Sequence, residues 1–152
     1  MLKQYIEKII SGQNLTQQEA GEAMDIILTG EANDSQLASF LSVLKMKGES
    51  LDEIAGFAKT LISHADHVPH SKPVMCNCGT GGDTKNTFNI STTAAFVLAA
   101  GGVTVAKHGN RGVSSASGSS DVLGELGVRY NLTPENAGKI IDDIGVAFLF
   151  AP

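Results

Sequence analysis

The chain has 152 residues, enough for one ordinary domain or for a small domain plus part of a second. Apolar residues make up 42% and charged residues 18%, a balance that allows a buried core and excludes an intrinsically disordered protein. The net charge of −5 argues against a general surface for nucleic acid or anionic membranes. The charged, amphipathic N-terminus is unlike a signal peptide, and no apolar run approaches the length of a bilayer span, so we expect a cytoplasmic protein.

Helical periodicity dominates the first 65 residues. Apolar residues recur over 2–10 at the spacing of one helix face. Capping-box sequences that begin at Thr16 and Ser50 predict the starts of two further helices, and a helix over 34–48 lies between them. Four short helices predict a small bundle. The helix over 34–48 is apolar around more than one side, which indicates a second surface for it to cover.

Short apolar runs alternate with glycine loops and helices from Lys72 onward. Ten of the 17 glycines lie from Gly79 through Gly127. Strands are predicted over 73–76, 103–106 and 145–150, and their alternation with helices predicts a parallel sheet with ligands at the carboxyl ends of its strands. Three strands are few for such a sheet, so we infer that the α/β part is incomplete in this chain.

Three helices are predicted between these strands. The first covers 94–100, and Ser91 and Thr92 suit its N-cap. The N-cap candidates of the other two are Ser119, Ser120 or Asp121 for one, and Thr133 with Pro134 at the first helical position for the other.

A glycine loop, Gly-Thr-Gly-Gly-Asp over 79–83, lies between the first predicted strand and helix. Such a loop suits phosphate, because glycines let backbone N–H groups approach closely and a helix N-terminus has a positive dipole end. The spacing matches neither common nucleotide motif, G-x-x-x-x-G-K-[ST] or G-x-G-x-x-G. A tight turn without a ligand therefore remains an alternative at this point.

A second small-residue loop, which begins Lys-His-Gly-Asn-Arg-Gly over 107–112, follows the second predicted strand. From 79 to 120 the acid Asp83 stands against Lys85, Lys107 and Arg111, a local balance that favours an anionic ligand. Because both loops follow strands of one parallel sheet, we expect them to meet at one edge. This convergence is the strongest indication of a site.

Five potential zinc ligands precede or enter the first loop: His64, His67, His70, Cys76 and Cys78. Their spacing matches no zinc finger or ribbon, and Pro69 interrupts them. We expect the histidines to complement a helix dipole and the cysteines to be ordinary core residues of a strand. The cysteines are also too close in sequence for the disulfide framework of a secreted domain.

Four motifs together resemble anthranilate phosphoribosyltransferase of tryptophan biosynthesis: Gly-Thr-Gly-Gly-Asp over 79–83, Thr-Phe-Asn-Ile-Ser-Thr over 87–92, Lys-His-Gly-Asn-Arg over 107–111 and Ser-Ser-Ala-Ser-Gly-Ser over 114–119. The resemblance covers essentially the whole chain but only the N-terminal part of the family's length. It implies an α/β fold of the nucleoside phosphorylase/phosphoribosyltransferase type, truncated in this chain. A small N-terminal helical bundle, residues 1–70, would mediate homodimerisation, and residues 71–152 would be the first part of a mainly parallel α/β domain.

The resemblance implies transfer of the phosphoribosyl group of phosphoribosyl pyrophosphate (PRPP) to anthranilate with Mg²⁺. Ser91 would bind Mg²⁺, and Gly79 and Asn110 would face anthranilate. Lys107 would act electrostatically, and no residue is assigned as a general acid or base. The residues that would bind PRPP are Gly79, Gly82, Asp83, Thr87, Asn89, Ile90, Ser91, Thr92, Lys107, His108, Gly109, Asn110, Arg111, Gly112, Val113, Ser114, Ser115 and Ser119.

The family's acidic pair for a second Mg²⁺ and its anthranilate-binding arginine would lie further along the chain than this sequence reaches. Arg111 and Arg129 are not at the matching position. We therefore expect the chain to bind phosphate groups but to turn over slowly or not at all.

Three alternatives stay open on the sequence. A pyrimidine nucleoside phosphorylase would share the architecture but carries a different glycine loop. A non-catalytic relative that binds nucleic acid would need a basic surface, which the net charge of −5 does not favour. The third alternative is a fragment that serves mainly in dimerisation through its helical part.

Overall fold

The computed structural model describes residues 1–79, 88–111 and 118–150. The chain divides into two compact units, Met1–Ala65 and Asp66–Pro152. The first unit contains four helices, and the second combines helices with parallel strands. The predicted fold class, a helical bundle followed by the start of a parallel α/β domain, is confirmed. Within the described ranges, no helix is long and apolar enough to cross a membrane.

The helices of the first unit are α1 (Lys3–Ile10), α2 (Gln17–Leu28), α3 (Asp34–Lys47) and α4 (Leu51–His64). The predicted capping boxes at Thr16 and Ser50 are present at the starts of α2 and α4, and Asn33 forms a third at the start of α3. In each box the N-cap side chain accepts a backbone N–H of the first turn, while a first-turn side chain accepts the N-cap N–H. These reciprocal bonds fix where three of the helices begin.

The core of the helical unit draws side chains from several helices. Phe40 is fully buried and packs edge-on against Phe57, with 6.0 Å between ring centroids. Helices α2 and α4 approach closely at Gly56, where a side-chain Cβ would overlap the carbonyl oxygen of Gln17. The buried cluster comprises Leu2, Tyr5, Ile9, Leu15, Ala20, Ala23, Phe40 and Leu44.

One carboxylate, that of Glu53, is fully buried in the helical unit. Its Oε1 accepts the Leu15 N–H at 2.9 Å, and its Oε2 accepts the Ser50 N–H at 2.7 Å and the Lys47 ammonium at 2.8 Å. Burial alone would raise the pKa of Glu53, but these donors outweigh burial and lower the pKa to about 2. Glu53 therefore joins the chain before α2, the end of α3 and the start of α4.

The second unit contains α5 (Ile90–Ala100), β1 (Val105–Gly109), α6 (Ser119–Glu125), α7 (Pro134–Ile144) and β2 (Val146–Phe150). Strands β1 and β2 pair in parallel, from Val105 opposite Val146 to Gly109 opposite Phe150. The strand predicted over 73–76 is reduced to a single parallel bridge between Met75 and Val105. Pro73 has no N–H to donate to a sheet, which helps to explain the short pairing.

Strand β1 begins and ends later than the predicted strand over 103–106, so Lys107 and His108 belong to the strand rather than to a following loop. The pairing with β2 sets this position. Side chains alternate across the sheet: Val105 packs in a cluster with Ala95 of α5, and Ala106 packs in another with Ile141 of α7. Lys107 consequently lies on the same face as Val105, towards α5.

Candidate functional site

A buried ammonium group lies at the centre of the candidate site. Lys107 is only 1% exposed, and its Nζ donates to the Oγ of Ser91 at 3.1 Å. Burial lowers the pKa of Lys107, while the nearby thiols of Cys78 and Cys76 act in the opposite direction. Among the described residues no carboxylate forms a salt bridge with Lys107. A buried cation without a paired anion suits an anionic ligand.

Helix α5 presents its N-terminus beside this lysine. The helix begins at Ile90 rather than after Thr92, its N-cap is Asn89, and no side-chain capping bond is found at this position in the described part of the chain. The prediction of Ser91 or Thr92 as the N-cap is therefore wrong. Their hydroxyls bond to other elements instead, to Lys107 and Ser119 respectively. The first-turn N–H groups of α5 provide a positive dipole end next to Lys107.

The start of α6 meets the start of α5. The Thr92 hydroxyl donates to the Ser119 Oγ at 2.8 Å, and the Asn89 amide donates to the Gly118 carbonyl at 3.5 Å. The end of β1 approaches the same point, since a Cβ on Gly109 would lie 3.3 Å from the Cβ of Ser119. Two helix starts and one strand end thus converge within hydrogen-bonding distance of one another.

The N-cap of α6 is Gly118, so the prediction of a cap at Ser119, Ser120 or Asp121 is wrong. The Asp121 carboxylate, from within the first turn, accepts the Gly118 N–H at 2.6 Å. Ser119 is the first residue of α6, and its hydroxyl is bonded to Thr92 of α5. The preceding residue, Gly118, is therefore the N-cap of α6. The later prediction of Thr133 as an N-cap, followed by Pro134, is confirmed at the start of α7.

The predicted site residues fall into three groups. The structure brings together Asn89, Ser91, Thr92, Lys107, Gly109 and Ser119. Other predicted residues are described but take no part in these contacts: Gly79, Ile90, His108, Asn110 and Arg111. The remainder lie outside the described residues: Gly82, Asp83, Thr87, Gly112, Val113, Ser114 and Ser115.

The second group has contacts of its own. Ile90 is half exposed, and the backbone N–H of His108 donates to the Cys76 Sγ at 3.4 Å. The Asn110 carbonyl accepts the Ser120 N–H at 3.4 Å, which links the end of β1 to α6. The Arg111 guanidinium lies 6.0 Å from the ring centroid of Phe150.

An open cleft of about 680 Å³ borders Arg111, α6 and Tyr130. Neither Lys107 nor Ser91 lines it. We place the candidate site at Lys107, because an exposed cleft lacks the buried positive charge and the helix N-terminus that would retain a phosphate group.

Asn77 also contributes to the site, although no sequence motif indicated it. Its Nδ2 donates to the Ser91 carbonyl at 2.8 Å, so it supports the first turn of α5. Its Oδ1 is buried and has no hydrogen-bond partner among the described residues. A polar side chain inside the apolar run before the glycine loop is the signal that could have identified it.

Both cysteines are free and exposed, so the expectation that they are ordinary core residues is wrong. After the bridge at Met75 the chain leaves the sheet, and the cysteines leave with it. The described residues contain no group of three or more His, Cys, Asp or Glu side chains placed to hold a metal ion.

Comparison with known proteins identifies the class. Residues 71–152 match the a/b domain of a glycosyl transferase family, and residues 3–65 match the helical bundle domain of that family. The chain belongs to this glycosyl transferase family.

Particular relatives sharpen the assignment. The chain is 54% identical over 153 residues to anthranilate phosphoribosyltransferase of Moorella thermoacetica, a match that covers 100% of this chain and 45% of the relative. The solved structure of anthranilate phosphoribosyltransferase from Thermus thermophilus has a TM-score of 0.84 and 44% identity, covering 96% of this chain and 45% of that one. The enzyme from Saccharomyces cerevisiae in complex with PRPP and Mg has a TM-score of 0.84 and 31% identity, covering 99% of this chain and 46% of that one.

The chain thus spans about half the length of the curated relatives it matches. The resemblance to the N-terminal part of anthranilate phosphoribosyltransferase is confirmed.

Proposed function

We propose that the chain takes part in the transfer of the phosphoribosyl group from PRPP to anthranilate, which gives N-(5-phosphoribosyl)anthranilate and pyrophosphate in tryptophan biosynthesis. The observation that carries this proposal is the buried Lys107 ammonium, 3.1 Å from Ser91 at the N-terminus of α5. Anthranilate is proposed as the acceptor because the relatives are named for it. PRPP is proposed as the donor because the yeast relative was solved in complex with PRPP and Mg.

The reaction breaks the bond from C1 of the ribose to pyrophosphate and forms a bond from C1 to the anthranilate nitrogen. Positive charge develops at C1 and negative charge on the departing pyrophosphate. Catalysis of this kind requires positioning and charge stabilisation rather than a protein nucleophile. Lys107 would stabilise the phosphate charge, and the first-turn N–H groups of α5 would orient the phosphates. No residue is assigned to proton transfer.

The chemistry of the described donors fits a Mg²⁺ ion bound mainly through substrate. Ser91 offers a hydroxyl next to Lys107, and the described residues contain no metal-binding cluster of three or more His, Cys, Asp or Glu side chains. Mg²⁺ retains several waters and commonly binds through substrate phosphates. When bound, the ion would neutralise pyrophosphate charge. Ser91 would hold it, while Lys107 keeps the serine oxygen oriented through the bond to its Nζ.

Gly79 and Asn110 are our candidates to face anthranilate. Both are exposed, and a Cβ on Gly79 would meet no heavy atom within 4 Å among the described residues outside its chain neighbours. The open space at Gly79 is compatible with a planar acceptor.

Calorimetric titration of the 152-residue chain with PRPP, with and without Mg²⁺, tests the proposal. We expect PRPP to bind more tightly in the presence of Mg²⁺. In a Ser91→Ala variant, which should stay folded, the PRPP affinity should no longer depend on Mg²⁺. The matched control is Thr93→Ala, an exposed hydroxyl on the same helix. A chain that is folded by circular dichroism and binds no PRPP under either condition would contradict the proposed function.

We propose further that the helical domain, residues 1–70, pairs two copies of the protein. Exposed apolar side chains on α3 and α4 support this, with Met46 87%, Leu51 86% and Ile62 75% exposed. Light scattering should give a dimer mass for the wild type and a monomer mass for a Leu51→Glu, Ile62→Glu variant. A monomeric wild type at high concentration would contradict the pairing. The net charge of −5 supports small-molecule partners over nucleic acid or a membrane. We also infer a cytoplasmic location, which the proposed biosynthetic role supports.

A further inference from the structure

The two cysteines of the chain stand together beside the candidate site. Cys76 and Cys78 are both free and exposed, separated by one residue in the chain, and each thiol shifts the pKa of the other. The Cys76 sulfur also accepts the backbone N–H of His108, at 3.4 Å. Cys76 therefore contacts β1 at the residue after Lys107, and Cys78 immediately precedes the glycine loop.

We propose that Cys76 and Cys78 form a reversible dithiol–disulfide modification site whose oxidation weakens phosphate binding at Lys107 and Ser91. The oxidant is a small-molecule disulfide of the glutathione class. The Cys76 thiolate attacks the disulfide, forms a mixed disulfide and releases one thiolate. The Cys78 thiol then loses its proton, attacks the Cys76 sulfur and releases the second small thiol. Two electrons pass from the cysteine pair to the small disulfide, which leaves as two thiols.

The surroundings give the two thiols different roles. Burial alone would raise the pKa of Cys76, but the N–H groups of His108 and Cys78, the Cys78 thiol and the charge on Lys107 together lower it. The pKa of Cys78 is raised, chiefly by its hydrogen bond to Cys76. Cys76 is thus suited to be the attacking thiolate, and Cys78 to be the thiol that resolves the mixed disulfide.

Closing the disulfide must bend the chain. In an extended segment the Cα atoms of residues two apart are about 7 Å from each other, at the upper limit of disulfide geometry. Asn77 lies inside the ring that would form, and its amide holds the Ser91 carbonyl at 2.8 Å. Bending 76–78 would pull this amide away from α5 and move Gly79. A strained, exposed disulfide of this kind is also readily reduced, which makes the modification reversible.

The first test needs no PRPP. The chain has only these two cysteines, so intact-mass measurement reads their state without ambiguity. After treatment with oxidised glutathione, we expect the mass of the wild type to fall by that of two hydrogen atoms. After subsequent reduction, both cysteines should again react with an alkylating reagent. Cys78→Ser should instead retain one glutathione on Cys76. A wild type that accumulates stable glutathione adducts, or disulfide-linked pairs of chains, would overturn the proposal.

The second test rests on the proposed function. Calorimetry with PRPP and Mg²⁺ should show binding to the oxidised wild type at least about tenfold weaker than to the reduced form. The double variant Cys76→Ser, Cys78→Ser should show the same affinity before and after oxidant treatment. Equal affinity of the oxidised and reduced wild type would overturn the effect on binding. Absence of PRPP binding in the reduced wild type would count against the proposed function, while the mass measurement still decides whether the disulfide forms.

Discussion

In the helical unit three of four helices begin with a capping box, whereas in the α/β unit α5 begins without a side-chain capping bond among the described residues and α6 begins at a glycine. Helix α7, whose N-terminus takes no part in the candidate site, is capped by Thr133. Helix α1 also begins, at Leu2, without a side-chain capping bond from the residues that the structure describes, so the contrast holds for α2, α3 and α4. Within the α/β unit the difference follows the site. Where a ligand is expected, the hydroxyls of Ser91 and Thr92 bond to neighbouring elements instead of capping α5. The positive dipole end of that helix would attract an anion.

The buried charges of the two units differ in the same way. Glu53 has three donors from three parts of the helical unit, including an ammonium. Lys107 has one described side-chain partner, a serine hydroxyl. The first arrangement is complete without a ligand and stabilises the fold, while under the proposed function the second would acquire its counter-charge from a bound phosphate.

Glu53→Gln should have the largest effect and destabilise the helical unit. Removing one partner of a buried ion pair typically costs about 3–5 kcal/mol. We expect hydrogen exchange of the α2 and α4 amides to accelerate accordingly. Glu49→Gln, a neighbouring exposed carboxylate, serves as the control and should change stability by less than about 0.5 kcal/mol. Equal effects of the two variants would remove the structural role given to Glu53.

Acid should weaken the helical unit through the same residue. The pKa of Glu53 falls from its ordinary value of 4.5 to about 2 in the folded chain. Its contribution is therefore fully present above pH 4.5, and it is lost as the pH falls from 4.5 to about 2. The shift corresponds to a free energy on the order of 3 kcal/mol. Urea titrations across this pH range should show the loss in the wild type and a flatter profile in Glu53→Gln; parallel profiles would contradict the assignment.

Lys107→Met should separate binding from stability in the α/β unit. Removing the ammonium should weaken PRPP binding by roughly 100-fold, or about 2.7 kcal/mol, because a desolvated charge contact is lost. The same change should leave the thermal stability of this unit equal or higher, since a buried charge without a salt-bridge partner in the described residues is replaced by an apolar chain of similar length. Lys139→Met, exposed on α7, is the control. A strongly destabilised Lys107→Met would show that the lysine serves the fold instead.

Thr16→Ala should give the smallest effect. Loss of one N-cap hydroxyl costs about 1 kcal/mol, and Thr16→Ser, which keeps the hydroxyl, should restore most of it. Urea unfolding checks the stability, and PRPP affinity should be the same in all three chains. A change in PRPP affinity would show that the helical unit influences ligand binding in the α/β unit.

Local sequence signals were sufficient for much of the fold. The boxes at Thr16 and Ser50 were predictable because their bonds close within four consecutive residues. The start of α5 was not, because the partners of Ser91 and Thr92 lie on β1 and α6, far away in sequence. Strand β1 was displaced for a similar reason: its register depends on β2.

The candidate site shows the same limit. The rule that parallel strands present their carboxyl ends at one edge predicted that the loops over 79–83 and from 107 onward meet there. The structure brings Lys107 and Ser119 to the N-terminus of α5, while residues 80–83 lie outside the described residues. The roles of Asn77 and the exposure of Cys76 depend on where the chain leaves the sheet after Met75. That position is a tertiary feature, and in the sequence only Pro73 and the polar Asn77 hint at it.

The register of the sheet also bears on the order of folding. Helices α6 and α7 lie between β1 and β2 in the chain. The chain must therefore close a loop that contains both helices before Val105 can pair with Val146. In the first unit, three helices begin at capping boxes whose bonds close within one turn. We therefore expect a fast kinetic phase from the helical unit and a slower one from the α/β unit in stopped-flow refolding. During synthesis the ribosome would release the fast unit first, so the slow sheet would form beside a neighbour that is already folded.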